Sequence, residues 1–99
     1  MNVDIGSPYL AEVKGILQRH VPNLTVWAFG SRVMGKAKRF SDLDLALVSD
    51  RPLSKETIWA LRESFSDSDL PFRVDVIDLA SVSDDFKSVV EKNHSVLQE

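Results

Sequence analysis

The chain has no cysteine. That excludes a disulfide framework and any thiolate zinc site, and nothing in the composition calls for an oxidising compartment. Long hydrophobic runs are also missing: no stretch approaches the roughly 20 apolar residues needed to span a bilayer. The opening MNVDIGSPYLAEV carries an acid and lacks the basic start and continuous apolar run of a signal peptide. These absences predict a cytoplasmic protein without a membrane partner. Basic charge is in short supply, with 12 Lys and Arg against 15 Asp and Glu and a net charge of −3. Sequence-independent binding to DNA or RNA relies on many cationic contacts to phosphates, so direct nucleic-acid binding is not expected. There are no repeats and no low-complexity segments.

What is present is ordinary for a globular chain, 43% hydrophobic and 27% charged over 99 residues. A single domain over residues 1–99 is expected. A chain of this size buries about 60 to 68% of its unfolded surface, enough for one modest core with little left for a separate acceptor-binding domain. Whatever it acts on then docks from outside. The cations are unevenly placed, because Arg32, Lys36, Lys38 and Arg39 fall within eight positions just before Asp42 and Asp44. Charge pattern alone divides evenly between a solvated loop and a functional one.

Ser7 followed by Pro8 reads as an N-cap with proline at the first helical position, and Leu10, Val13, Ile16, Leu17 and Val21 recur at helical spacing. Leu24 to Phe29 is a short apolar run rich in strand formers, ended by Gly30. From Ser41 the pattern alternates. Leu43, Leu45 and Leu47 fall on one face, and Asp42, Asp44, Ala46 and Val48 on the other. That second face starts with acids and continues with small apolar residues, as if open at the strand's start and covered further along. Ser54 caps a helix to about Ser66, Phe72 to Ile77 reads as a third strand, and Ser83 with Asp84 and Asp85 starts a last helix. The expected fold is α/β, a small mixed sheet of three strands packed with helices.

The stretch GSRVMGKAKRFSDLDLAL, residues 30–47, carries the chemistry. Gly30 lets backbone amides approach a phosphate closely, and Ser31 adds a hydroxyl donor. Asp42 and Asp44, two apart on one strand, project their carboxylates to the same side. Two such anions repel each other until a hard cation is placed between them. Mg²⁺ favours carboxylate and phosphate oxygens while keeping several waters. Asp75 completes a three-carboxylate cluster if its strand pairs beside the second. Two ions would then clamp the α-phosphate, with Asp75 as general base or as ligand of the activating ion.

Each part alone has an ordinary explanation. Gly30 is then a turn, Ser31 a helix cap, the acid pair a solubilising face, and Asp75 a partner of Arg73 near by. Asp78 reads as a turn or cap residue, and His20 and His94 as surface or capping residues. Trp27 and Trp59 are most simply packing, although an aromatic beside the cleft can stack on a nucleobase.

The joint spacing is far more specific: Gly30 and Ser31, ten intervening residues, Asp42, one residue, Asp44, and an acid on a later strand. It resembles the nucleotidyltransferase superfamily of DNA polymerase beta-like fold, particularly its minimal members, the MNT-domain proteins. The fit runs from the opening helix through RVDVIDL. The resemblance implies that Gly30 and Ser31 bind nucleotide phosphate and that Asp42, Asp44 and Asp75 bind catalytic Mg²⁺. It places Arg32 and Ser41 as neighbouring supports of the phosphates. It also implies ATP as the donor and a HEPN-domain toxin as partner, with AMP transferred to a toxin tyrosine by its antitoxin, in a homo- or hetero-oligomer. The polar tail NHSVLQE departs from the apolar finish of many relatives, so a short last helix and an incomplete cleft wall are expected. Two competing readings follow. One is a binding module that neutralises its toxin by occlusion, and the other, weaker without a substrate-enclosing domain, is an enzyme acting on a small molecule such as an aminoglycoside.

Overall fold

The computed structural model describes residues 3–38 and 40–99. Helix α1 (Ser7–His20) buries Val13, Ile16 and Leu17 and carries Arg19 and His20 in its last turn, where cations suit the exposed carbonyl end. Proline sits in its first turn as expected, but Ser7 lies inside the helix and Gly6 holds the cap position without a side-chain bond.

Strand β1 (Thr25–Phe29) pairs antiparallel with β2 (Leu43–Val48). Helix α2 (Lys55–Ser66) starts at Ser54, whose hydroxyl accepts from Thr57 N at 3.2 Å. It carries the chain across to β3 (Val74–Asp78), which runs parallel to β2. Parallel neighbours need such a crossover, since a tight turn can only join antiparallel strands. A 3-10 turn (Leu79–Ser81) leads to α3 (Asp84–Lys92), capped by Ser83 through Phe86 N at 3.2 Å. Asp78 behaves as the turn residue expected of it. Its carboxylate accepts from Leu53 N at 2.8 Å, Ala80 N at 3.2 Å and Ser81 Oγ at 3.1 Å, tying the entry of α2 to the end of β3.

The last segment corrects the three-stranded expectation. His94–Gln98 is not the frayed end of a helix but a strand, β4, paired antiparallel with β1. The sheet therefore has four strands in the order β3-β2-β1-β4. Helix α3 ends at Lys92 with Asn93 as its cap, and His94 Nδ1 lies 2.9 Å from Glu91 O and 3.1 Å from Val90 O at the helix's carbonyl end. Gln98 fixes the other end by donating from Nε2 to Val21 O at 2.6 Å and Leu24 O at 2.8 Å.

The two faces of the sheet are filled unequally. Leu43, Leu45 and Leu47 are fully buried on one face with Val26, Ala28 and Val76, under Leu17 of α1 and Leu61 of α2. Each such side chain contributes about 1.5 to 3 kcal/mol relative to exposure. The opposite face holds a smaller cluster, Ala46, Leu79 and Val90, flanked by Trp27, Phe29, Ile77 and Val82. That cluster covers the far half of the face and leaves the half bearing the acids open, as the alternation in β2 anticipated.

Candidate active site

The site grows from strand register. Phe29 of β1 pairs with Asp44 of β2, and Asp44 pairs with Asp75 of β3. Paired residues project to the same face, so one row across three strands reads Phe29, Asp44, Asp75, with neighbouring strands about 4.8 Å apart. Asp42 stands just before β2, exposed to solvent, while Asp44 and Asp75 are half-buried. Of the three acids expected to converge, Asp44 and Asp75 stand side by side on one face of the sheet, and Asp42 lies two residues before Asp44, outside the strand. No ion pair joins Asp75 to Arg73 among the described residues.

Electrostatics report the same proximity. Burial raises the pKa of the Asp44 carboxyl above its ordinary value, and the negative charges of Asp75 and then Asp42 push it further the same way. An anion held beside two others in a half-desolvated place is stabilised by a proton or a cation. Among the described residues, no three carboxylate or imidazole groups stand close enough to form a ready-made metal cage. The donor set nevertheless suits Mg²⁺, which takes few protein carboxylates and completes its shell with water and phosphate oxygens.

Gly30 closes the site from the side of β1. Its φ of 81° lies in the left-handed region, where side chains cost energy. A Cβ there would collide with Asp44 Oδ2 and stand 3.2 Å from Asp44 Cγ. The turn itself calls for glycine, and its backbone lies close against the Asp44 carboxylate. Beyond it the chain coils tightly: Gly30 O accepts from Val33 N at 3.0 Å and Met34 N at 3.1 Å, and Ser31 O accepts from Lys36 N at 3.1 Å. Ser31 itself sits half-buried at the mouth of this turn.

Arg32 and Ser41, expected as supports of the phosphates, are joined to each other and to the loop. Arg32 is buried, donates from Nε to Ser41 O and from NH1 to Asp4 O, both at 2.8 Å, and lays its guanidinium 4.4 Å over the Phe72 ring. Ser41 in turn accepts at Oγ from Lys38 N at 2.7 Å. Both residues brace the loop that delivers Asp42. Arg39 of the basic run lies outside the described residues. His20 pairs with Ser64 at 2.5 Å, joining α1 to α2, and His94 caps α3, so both histidines serve the fold.

Sequence reading missed the aromatic lining. Phe29 stands next to Asp44 and meets Phe86 of α3 edge-on, with ring centroids 5.8 Å apart. Strand register could have pointed to Phe29 once β1 and β2 were known to be antiparallel, but Phe86 is brought there only by the packing of α3.

A mixed sheet that sets Asp44 beside Asp75, with the turn at Gly30 packed against Asp44, gives an α/β protein a place where a cation and a phosphate can meet. Comparison with known proteins narrows the class. Residues 11–99 match the family described as polymerase beta nucleotidyltransferase, and the chain belongs to that family. It is 56% identical over 97 residues to a Haemophilus influenzae protein named probable protein adenylyltransferase MntA, spanning 98% of this chain and 85% of that one. Its fold is similar to a chain of a toxin-antitoxin complex solved with AMP-PNP, with a TM-score of 0.74 and 28% identity over 89% of this chain and 71% of that chain. It also resembles, in fold, a chain of a complex between a tri-AMPylated Shewanella oneidensis HEPN toxin and its MNT antitoxin. There the TM-score is 0.64 and the identity 24%, over 89% of this chain and 67% of that chain.

Proposed function

We propose that this chain is an antitoxin that transfers AMP from ATP to a tyrosine hydroxyl of a HEPN-domain toxin. The observation that carries the proposal is the register of Asp44 beside Asp75, closed by Gly30 packed against the Asp44 carboxylate. The similarity to the Haemophilus influenzae adenylyltransferase supports a protein acceptor, and the likeness to a toxin-antitoxin chain solved with AMP-PNP supports an adenine nucleotide and a toxin partner.

In this reading residues 1–99 act as one catalytic domain and the partner supplies the acceptor. Gly30 and Ser31 seat the triphosphate through backbone amide and hydroxyl donors. Asp42, Asp44 and Asp75 would hold Mg²⁺, which would supply neutralisation of the phosphate charge. The acceptor oxygen attacks the α-phosphorus in line. Its O–H bond breaks as the new O–P bond forms, Asp75 takes the proton, and the bond to the bridging oxygen breaks to release pyrophosphate. Little covalent chemistry falls to the protein, so positioning and charge balance supply the acceleration. We assign the activity to the cytoplasm, where ATP and a toxin made in the same cell meet. Among the described residues no helix is long and apolar enough to cross a membrane.

Incubating the purified chain and its toxin with Mg²⁺ and ATP labelled at the α-phosphate tests the proposal. Label on a toxin tyrosine, located by mass spectrometry, is the expected result. Toxin inhibition without label would replace enzymatic transfer with occlusion.

A further inference from the structure

We propose that the hollow bordered by the edge-on pair Phe29 and Phe86, together with Met34 and Val89, receives the nucleobase of the nucleoside triphosphate. The inference rests on the nucleotidyltransferase reading above and adds where the base is held. The hollow is small, about 260 Å³, and is lined by Phe29, Gly30 and Met34 together with Phe86, Val89, Val90 and Asn93. Pockets that enclose whole drug-sized ligands run to roughly 300 to 1,000 Å³, so this space suits one planar ring system better than a complete nucleotide.

Three observations point to a base. The first is position, since Gly30 belongs both to the hollow and to the turn beside Asp44, and Phe29 is the cross-strand neighbour of Asp44. A base in the hollow and phosphates at the turn are then separated by little more than a residue, as the parts of one nucleotide require. The second is chemistry. Met34, Phe86 and Val89 are 42%, 39% and 57% exposed, an apolar group left open beside an acid cluster. Aromatic faces stack on any base, and the thioether of Met34 adapts to an irregular partner. The carboxamide of Asn93, anchored by Nδ2 to Val89 O at 3.3 Å, brings donor and acceptor chemistry to the rim.

The third is the placement of the two tryptophans. Trp27 already stacks on His94, with centroids 3.9 Å apart and planes 18° from parallel. Trp59 is 66% exposed, but the hollows it lines are shared with Pro52, Leu53 and Ile58 or with Lys55 and Glu56, not with Gly30 or Asp44. Neither offers a free face next to the acids.

The test compares ATP with inorganic tripolyphosphate, each with Mg²⁺, on the full chain and its Phe86→Ala variant. Phe86 is partly exposed, and a thermal melt establishes that the variant is folded. We expect ATP affinity to fall about tenfold while tripolyphosphate affinity stays within about twofold. In the unaltered chain, NMR contacts from the adenine ring protons to the Met34 and Val89 methyls are expected, a readout that needs no variant. An equal loss for both ligands, unchanged ATP binding, or contacts to Trp59 instead would overturn the base site and leave the transfer reaction standing. If the unaltered chain binds neither ligand, the transferase reading falls and the base site falls with it.

Discussion

The two faces of the sheet use the same strands for opposite ends. On the face under α1 and α2, every second residue of β2 is a leucine buried to completion. On the other, the same strand presents Asp44 and then Ala46, and only the alanine is covered. One face holds the fold together. The other sets Asp44 beside Asp75, like charges that work against the fold and that the proposed function puts to use. The lesson is that a strand of six residues can supply core and chemistry at once because its side chains alternate.

The comparison breaks most sharply at Asp44. Asp44→Asn should lower AMP transfer by about a thousandfold, measured as initial rate of label incorporation, while raising the thermal midpoint by a few degrees through relief of repulsion. A variant that lost activity by unfolding would show the reverse sign in the melt. On the leucine face, Leu45→Ala should cost about 2 to 5 kcal/mol in urea unfolding, from lost transfer energy and the cavity left behind. If Leu45→Ala proved harmless, the division of labour between faces would be mistaken.

Gly30→Ala sits where the faces meet the turn. It combines a strained positive φ with a collision against Asp44, and should cost about 1 to 2 kcal/mol of stability together with a measurable loss of ATP affinity in calorimetry. The smallest effect is pH-dependent. Asp44 has a folded-state pKa raised above its ordinary value of 3.8, so between those two values the folded state binds more protons than the unfolded. Stability from this group is fully present in acid and is lost as pH rises through the raised pKa. Melts of the unaltered chain and Asp44→Asn should therefore converge in acid and separate toward neutrality. Added Mg²⁺ should narrow the gap.

Much of this was legible beforehand, and the omissions have physical causes. The alternation in β2 and the spacing of Gly30, Asp42 and Asp44 are local, so a single sequence displays them. Asp75 needed the parallel pairing of β2 with β3, a long-range fact that a strand at the right distance only suggested. Strand β4 was missed because HSVLQ is short, mostly polar and next to a helix, and its pairing with β1 is irregular between Val26 and Trp27. Strand preference depends on what the strand lies against. The resemblance set Arg32 beside the phosphates, a role that implies nothing about its packing. Nothing local reveals that Phe72, Ser41 and Asp4 would enclose its guanidinium.

Isothermal titration of ATP into the chain, with and without Mg²⁺ and then into the Asp42→Asn/Asp44→Asn double variant, bears on the central claim most directly. The acid row predicts tight binding only when Mg²⁺ and both aspartates are present. Equal affinity in the absence of Mg²⁺, or an unaffected double variant, would contradict it.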